Sequence, residues 1–332
     1  MRFRFPLSIP LALCAGFICF TTALRADSPL PVKIIFDTDM SSDCDDVGSL
    51  AVLNKLADSG KAEILACVAN GHDQDKAIAA SISAINTYYG RPNIPIGTYQ
   101  GPGHPPTHSP YTAKLRDEFP HSAKPDDQEP RAVDVYRRAL AGAPDTSVVV
   151  VSVGFLVNLR DLLESKPDDI SPLPGIELVR EKVKKLVVMG GAFPHGNEYN
   201  FCGGGGGPDT QYTVEHWPTP ILFSGFEIGA QIVTGKGLAT APHTNPVRRA
   251  YELYTSFKGR QSWDLTASLA AAGDLALYWN VSSDGYCEVA PNGADQWHPT
   301  PNRGHSYLIT KLPPAEVGKA LDDLLALPPG AR

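Results

Sequence analysis

The chain lacks a Cys-x-x-Cys pair, a repeat of fixed period and an excess of positive charge. Each absence narrows what it can do. Scattered cysteines without paired spacing do not build a structural zinc site. Lysine and arginine number 29 against 36 aspartates and glutamates, for a formal charge of −7. An acidic chain is a poor partner for nucleic acid or for an anionic membrane surface. No linker-like stretch divides the chain, and residues 27–332 read as one domain, long enough to bury a full core.

Long apolar runs are also scarce outside the first residues. Arg2 and Arg4 precede an apolar run from Phe5 to about Phe20, and small residues follow, with cleavage expected near Ala23 or Ala26. The run is short, and polar residues succeed it, so residues 1–26 read as a signal peptide rather than a permanent span. Cys14 follows Leu13, not the small residue expected before a lipid-attached cysteine. The expectation is a secreted or periplasmic protein with no membrane segment in its mature form. Losing three arginines and no acid takes the formal charge from −7 to −10. Cys44, Cys67, Cys202 and Cys287 remain. An oxidising compartment permits disulfides, but spacing does not pair these four.

What is present is a rhythm. Val-, Ile- and Leu-rich runs at residues 32–36, 63–69, 94–97, 147–153, 184–189 and 220–225 are apolar without alternation. Such runs suit strands covered on both faces. Helical patterns lie between them. Val47, Leu50 and Ala51 fall at i, i+3 and i+4 ahead of Gly60, and a second pattern closes on Gly90. The alternation predicts an α/β fold: a doubly wound, mainly parallel sheet flanked by helices. Two stretches break it. Residues 100–130 are rich in proline and histidine, and residues 203–207 are five consecutive glycines. The glycine run reads as a mobile surface loop. From about Thr244 the pattern becomes helices, an irregular Gly/Pro/Trp-rich stretch and a C-terminal helix.

The densest chemistry sits after the first apolar run. Asp37, Asp39, Asp43, Asp45 and Asp46 crowd into "DTDMSSDCDD". Asp37 and Asp39 fall at the carboxyl end of a strand, where open α/β sheets bind ligands. Asp45 and Asp46 open the next helix, where carboxylates suit the helix N-terminus. Capping explains one or two acids, not five. An EF-hand loop fails, because the position for its glycine is Ser42 and the position for its last glutamate is Gly48. A haloacid dehalogenase-type phosphotransferase also opens with Asp-x-Asp after a strand, but no acidic pair follows a later strand. A hard divalent cation held by several carboxylates would offset the repulsion.

The same segment resembles the signature of the inosine–uridine-preferring nucleoside hydrolase family, Asp-x-Asp-Pro-Gly-x-Asp-Asp, with two extra residues before the final acidic pair. The resemblance continues in "CVANGHDQDKA", "VVVVSVGFLVNL", "KKLVVMGGAFPHGNEYNF" and "SWDLTASL", spanning about residues 32–310. It implies one calcium ion held by Asp39, Asp46, the carbonyl of Val153 and Asp264. It implies Asp39 as the base that deprotonates a water, Asp45 and Asn70 at ribose hydroxyls, Glu198 and Asn200 on the sugar's other side, and Met189 beneath the ring. Asp37 would brace the cluster from the strand. The substrate would be a small-molecule nucleoside, cut at its N-glycosidic bond, and the family's habit implies a homo-oligomer.

Two departures stand out. Where many members carry histidine before the late aspartate, this chain has Trp263, which cannot donate a proton but can stack on a base. His72, His104, His108 and His305 are the candidate replacement donors. The glycine run stands where the family usually starts a helix with Asp-Pro-Glu-Ala-Ala. The longer signature leaves open whether Asp43 or Asp45 faces the pocket. The alternatives to hydrolysis are a non-catalytic, calcium-dependent binder of nucleosides or sugars and, third, the phosphotransferase.

Overall fold

The computed structural model describes residues 1–3 and 30–331. The leader read at residues 1–26 therefore lies, beyond its first three residues, outside the described residues.

The strands are β1 Val32–Thr38, β2 Ala62–Ala69, β3 Ile96–Thr98, β4 Val148–Ser152, β5 Val183–Met189, β6 His195–Gly196, β7 Ile221–Ser224, β8 Val233–Thr234, β9 Arg260–Gln261, β10 Trp279–Ser282, β11 Tyr286–Val289, β12 Asp295–His298 and β13 His305–Thr310. Eight of them form the central sheet in the order β10-β13-β7-β5-β4-β1-β2-β3. Only β10, at the edge, is antiparallel to its neighbour; the other seven run parallel. β11, β12 and β6 make a second, three-stranded sheet, and β8 pairs with β9. This is the doubly wound architecture expected from the apolar runs.

The non-alternating composition of those runs has a direct cause. Ile34 and Phe36 of β1, with Val149 and Val151 of β4, enter one buried apolar layer. Ile35, Val148 and Val150 enter the opposite layer. Both faces of the sheet are dry, so successive residues must all be apolar.

Helices α1 Asp45–Asp58, α2 Ile78–Tyr88, α3 Thr112–Glu118, α4 Ala132–Ala141, α5 Val157–Glu164, α6 Gly175–Lys182, α7 Tyr199–Cys202, α8 Gly207–His216, α9 Phe226–Gly229, α10 Pro246–Thr255, α11 Trp263–Ala272, α12 Leu275–Tyr278 and α13 Pro314–Ala326 fill the connections and cover the sheet. α1 and α11 cross closely. A β-carbon at Gly48 would lie 2.4 Å from the Tyr251 hydroxyl and 3.0 Å from Leu265. Ser49 Oγ donates to the Asp264 carbonyl at 3.0 Å and lies 2.7 Å from Ser268 Oγ. That crossing brings the first-strand signature and the Trp263–Asp264 pair to one place.

The chain leaves β1 toward β2 and β3 on one side, then returns to β4, β5, β7 and β13 on the other. The order reverses between β1 and β4, and ligands of open α/β sheets bind outside the carboxyl ends of strands at such a switch point.

Two expectations need correction. The stretch after α12 is not irregular: it carries β10 to β13. Its strands are short and mix Trp, His and Asp with apolar residues, which hides them. The glycine run is not an open loop. Gly203–Gly205 form a 3₁₀ turn, and Gly207 begins α8. The four described cysteines are all free.

Candidate active site

Asp37 is the fixed point of the site. It is fully buried at the end of β1. Its Oδ1 accepts from Asn70 Nδ2 at 2.9 Å and Asn158 Nδ2 at 3.0 Å, and its Oδ2 accepts from the Tyr136 hydroxyl at 2.8 Å. Burial pushes its carboxyl up to about 7, against the pull of those donors. Asn158 also donates to the Ala69 carbonyl, and Asn70 Oδ1 accepts from the Phe155 amide at 3.0 Å. Asp37 thus ties the ends of β1, β2 and β4 together.

Beyond that brace opens a cavity of about 340 Å³. Asp39, Asp45, Val153, Met189, Glu198, Asn200, Trp263 and Asp264 all line it, together with Ser42, Asp43, Tyr199, Phe226, Tyr254 and Arg260. Of the residues singled out from sequence, Asp46 and Asn70 do not line it. Asp46 is buried, its Oδ1 accepting from the Thr38 hydroxyl. The Asn70 amide is occupied by Asp37 and Phe155, so its visible work is to hold the strand ends.

Asp43 and Asp45 both line the cavity, which answers the question left by the longer signature. They differ in surroundings. Asp43 accepts a hydrogen bond from Arg260 Nη2 at 2.6 Å, and its carbonyl accepts from the Tyr111 hydroxyl. Asp45 is buried; its Oδ2 accepts from the Asp264 amide at 3.3 Å, and its Oδ1 has no hydrogen-bond partner.

On the opposite wall Glu198 caps α7. Its two oxygens accept from the Asn200 amide at 2.9 and 3.0 Å, and one also accepts from the Gly191 amide. Burial pushes its carboxyl up to about 7. The Asn200 side chain donates to the carbonyl and sulfur of Met189, both at 3.1 Å, which pins both residues to the end of β5. Trp263 stacks on Phe226 with ring centroids 5.3 Å apart and donates from Nε1 to the Phe226 carbonyl. Among the described residues, four aromatic rings, Tyr199, Phe226, Tyr254 and Trp263, share the cavity with five carboxylates.

The site fits a hard divalent cation by its chemistry. Among the described residues, no three His, Cys, Asp or Glu side chains converge as a ready cage. The electrostatics nevertheless call for positive charge. Burial, then Asp43 and Glu198, pushes Asp39 up to about 8. Burial and mutual repulsion push Asp45, Asp46 and Asp264 well above the usual carboxylate range. The donors are all oxygens, and the buried Asp45 Oδ1 is unpartnered. A bound divalent ion inverts this pKa logic.

The histidines considered as proton donors stand elsewhere. None lines the cavity. His72 Nε2 is 3.3 Å from the Gly101 carbonyl, His104 stacks behind Phe155 at 4.3 Å, His108 is exposed, and His305 accepts from the Cys287 amide. The phosphotransferase reading also loses its acids. Gly190 and Gly191 follow β5, and Glu227, after β7, turns to accept from the Phe193 amide.

Sequence reasoning missed Arg260, Tyr254, Tyr199 and Phe226. The signal that could have found Arg260 is its place three residues before Trp263, itself a departure from the family pattern.

Comparisons with known proteins agree with this geometry. Residues 34–204, just over half of the chain, match the model of the family described as "Inosine-uridine preferring nucleoside hydrolase". No curated protein matches. Three solved structures share the fold. The effector protein XOO4466 is 16% identical with a TM-score of 0.65, covering 90% of this chain and 93% of that one. The type III effector XopQ, complexed with adenosine diphosphate ribose, is 16% identical with a TM-score of 0.66, covering 90% and 94%. An inosine-guanosine nucleoside hydrolase is 17% identical with a TM-score of 0.62, covering 88% and 98%. At such identities the likeness to these three is one of fold, and it is the family model, matched through the aspartate signature and on past Glu198 and Asn200, that decides: this chain belongs to the inosine-uridine preferring nucleoside hydrolase family.

Proposed function

We propose that the protein is a calcium-dependent hydrolase of the N-glycosidic bond of nucleosides, releasing free base and ribose. One observation carries the reading: a cavity at the sheet's switch point sets Asp39, just after β1, and Asp45 and Asp264, in the first turns of α1 and α11, against aromatic rings led by Trp263 and Phe226. An acidic floor suits sugar hydroxyls and a cationic sugar, and an aromatic mouth suits a base.

Cleavage breaks the bond between the anomeric carbon and the base nitrogen, with the electron pair leaving on the base. The sugar passes through an oxocarbenium-like state. A water oxygen bonds to the anomeric carbon, and Asp39 takes its proton. Asp45 accepts from a ribose hydroxyl, and Glu198 and Asn200 hold the sugar from the far wall. Asp39, Asp46, the Val153 carbonyl and Asp264 would hold calcium, which, when bound, makes water easier to deprotonate and anchors ribose hydroxyls. The excess of acid disfavours phosphorylated ligands: among the described residues, five carboxylates line the cavity against one arginine. The apolar leader at residues 1–26 makes export part of the same proposal, and N-terminal sequencing of the mature protein tests it.

The cavity-lining residues include no histidine. That favours a second reading, a calcium-dependent nucleoside or sugar binder without turnover. Incubation with purine and pyrimidine nucleosides, with calcium and with a chelator, separates the two. Release of free base that the chelator stops supports the hydrolase. Tight binding by calorimetry with no base released from any nucleoside supports the binder.

A further inference from the structure

Arg260 is the one cation among the described residues that line the cavity, and the hydrolysis steps proposed above leave it without a role. It sits in β9, ahead of α11. Its Nη2 donates to Asp43 Oδ2 at 2.6 Å. Its Nε stands 3.7 Å from Asp45 Oδ1, too far for a hydrogen bond, and both of those buried atoms lack a partner. The guanidinium carbon lies 4.9 Å from the Trp263 ring centroid and 5.4 Å from that of Tyr254. The cation is thus anchored at its acidic end and stands among the rings that would take a base.

An arginine in a cavity is often an anion anchor. Here the surrounding carboxylates argue against an anionic ligand, because Asp43 already neutralises the guanidinium. A neutral ligand that becomes negative during the reaction is different. When the bond to the anomeric carbon breaks, the electron pair passes to the base. The base must then be protonated or have its charge met by a fixed donor. Among the described residues, no histidine lines the cavity to supply the proton. The hydroxyls of Tyr199 and Tyr254 are made weaker acids by partial burial. Arginine stays charged and donates only, so it can meet that charge without giving up a proton.

We propose that Arg260 stabilises the departing base, donating from its guanidinium to an acceptor on a purine stacked among Trp263, Phe226 and Tyr254. The inference rests on the hydrolase reading and names its leaving-group device. The electron pair of the broken bond settles on the base, Arg260 meets that charge, and the base nitrogen later takes a proton from solvent. The sum is nucleoside plus water giving ribose plus neutral base. Because the guanidinium only donates, it selects bases that present acceptors. Guanine and hypoxanthine offer O6 and N7 on one edge, whereas adenine offers N7 beside an amino donor. Asp43 then acts as a positioning residue that aims Arg260.

The experiment compares inosine, adenosine and p-nitrophenyl β-D-riboside with the wild type, Arg260→Met and Arg260→Lys, in calcium. p-Nitrophenolate leaves as a stable anion and needs no help. Arg260→Met should lower kcat/KM for inosine about a hundredfold, the scale of one lost donor at a site of developing charge. It should leave the aryl riboside within about threefold by the same reasoning, which also shows that the variant is folded. Arg260→Lys, which keeps the charge and loses the planar fork, should fall between. Calorimetry should show weaker hypoxanthine binding in Arg260→Met and little change for adenine. Equal losses on inosine and the aryl riboside, or no loss on either, overturn the assignment while the hydrolase reading stands. A wild type that cleaves none of the three overturns both.

Discussion

Gly154 lies so close to Asp39 that a β-carbon added to it would fall 2.5 Å from Asp39 Oδ1 and 2.7 Å from the Asp39 amide nitrogen. The same atom would fall 2.6 Å from Asn70 Oδ1. The backbone after β4 is thus pressed against the base proposed for the reaction and against the brace that holds it.

Gly154→Ala should therefore displace Asp39 and break its alignment. Overpacking of a filled site costs about 1–3 kcal/mol. A displacement near 1 Å at the reacting groups costs about a hundredfold in rate. Urea unfolding and nucleoside kinetics on the same variant give both numbers. A fully active Gly154→Ala would show that the contact does not position Asp39.

Metal removal tests the carboxylate cluster directly. Asp39, Asp45, Asp46 and Asp264 are held near one another, and each carboxyl is pushed up by burial and by its acidic neighbours. A cation that binds only the folded chain stabilises it by about 2.7 kcal/mol at a hundred times its dissociation constant. Calcium should raise the melting temperature, a chelator should reverse the rise, and Asp264→Asn should blunt it. A melting temperature indifferent to calcium would remove the cation from the site.

Much of this was legible in the chain because it rests on local chemistry. The strand runs are apolar at every position because both faces of the sheet are covered, as Ile34 and Ile35 show by entering opposite layers. The aspartates read as a site because acids rarely crowd a strand end without a ligand. What stayed hidden depends on contacts far apart in the chain. Arg260 meets Asp43 across 217 residues, and no local pattern announces such a pair. Phe226 lines the cavity only because α9 and α11 meet. β12 hid for another reason. Asp295 and Trp297 are buried and Gln296 is exposed, an alternation too short and too polar to read as a strand.

The glycine run offers a sharper case, in which close packing looks like flexibility. A β-carbon at Gly204 would lie 2.9 Å from His104 Nδ1, and the His104 ring is packed against Phe155 with centroids 4.3 Å apart. Gly204 has φ +59° and Gly205 φ +85°, but around Gly205 nothing lies within 4 Å. Gly205→Ala should cost only the left-handed backbone, about 1–2 kcal/mol. Gly204→Ala should cost that and a further ~1–3 kcal/mol for overpacking against His104. Equal losses in urea unfolding would mean that the ring does not constrain the turn.

His305 should make stability depend on pH. The imidazole is buried at the start of β13, and its Nδ1 accepts from the Cys287 amide at 3.1 Å, which requires that nitrogen to be unprotonated. Burial, and then the charge of Arg303, lowers its pKa from 6.5 to about 4. Below pH 6.5 the unfolded chain takes up a proton that the folded chain refuses. Stability contributed by the neutral ring is therefore full above that point and is lost as pH falls from 6.5 toward 4. Linkage places the loss by pH 5 at about 2 kcal/mol. Glu215, Glu288 and Arg303 line the same cavity as His305. Their titration, and that of acids elsewhere, acts on wild type and variant alike. Urea unfolding at pH 7 and pH 5 should show the wild type losing about 2 kcal/mol more than His305→Asn, which keeps an acceptor but takes no proton. Identical losses in the two proteins would place the His305 pKa near its ordinary value.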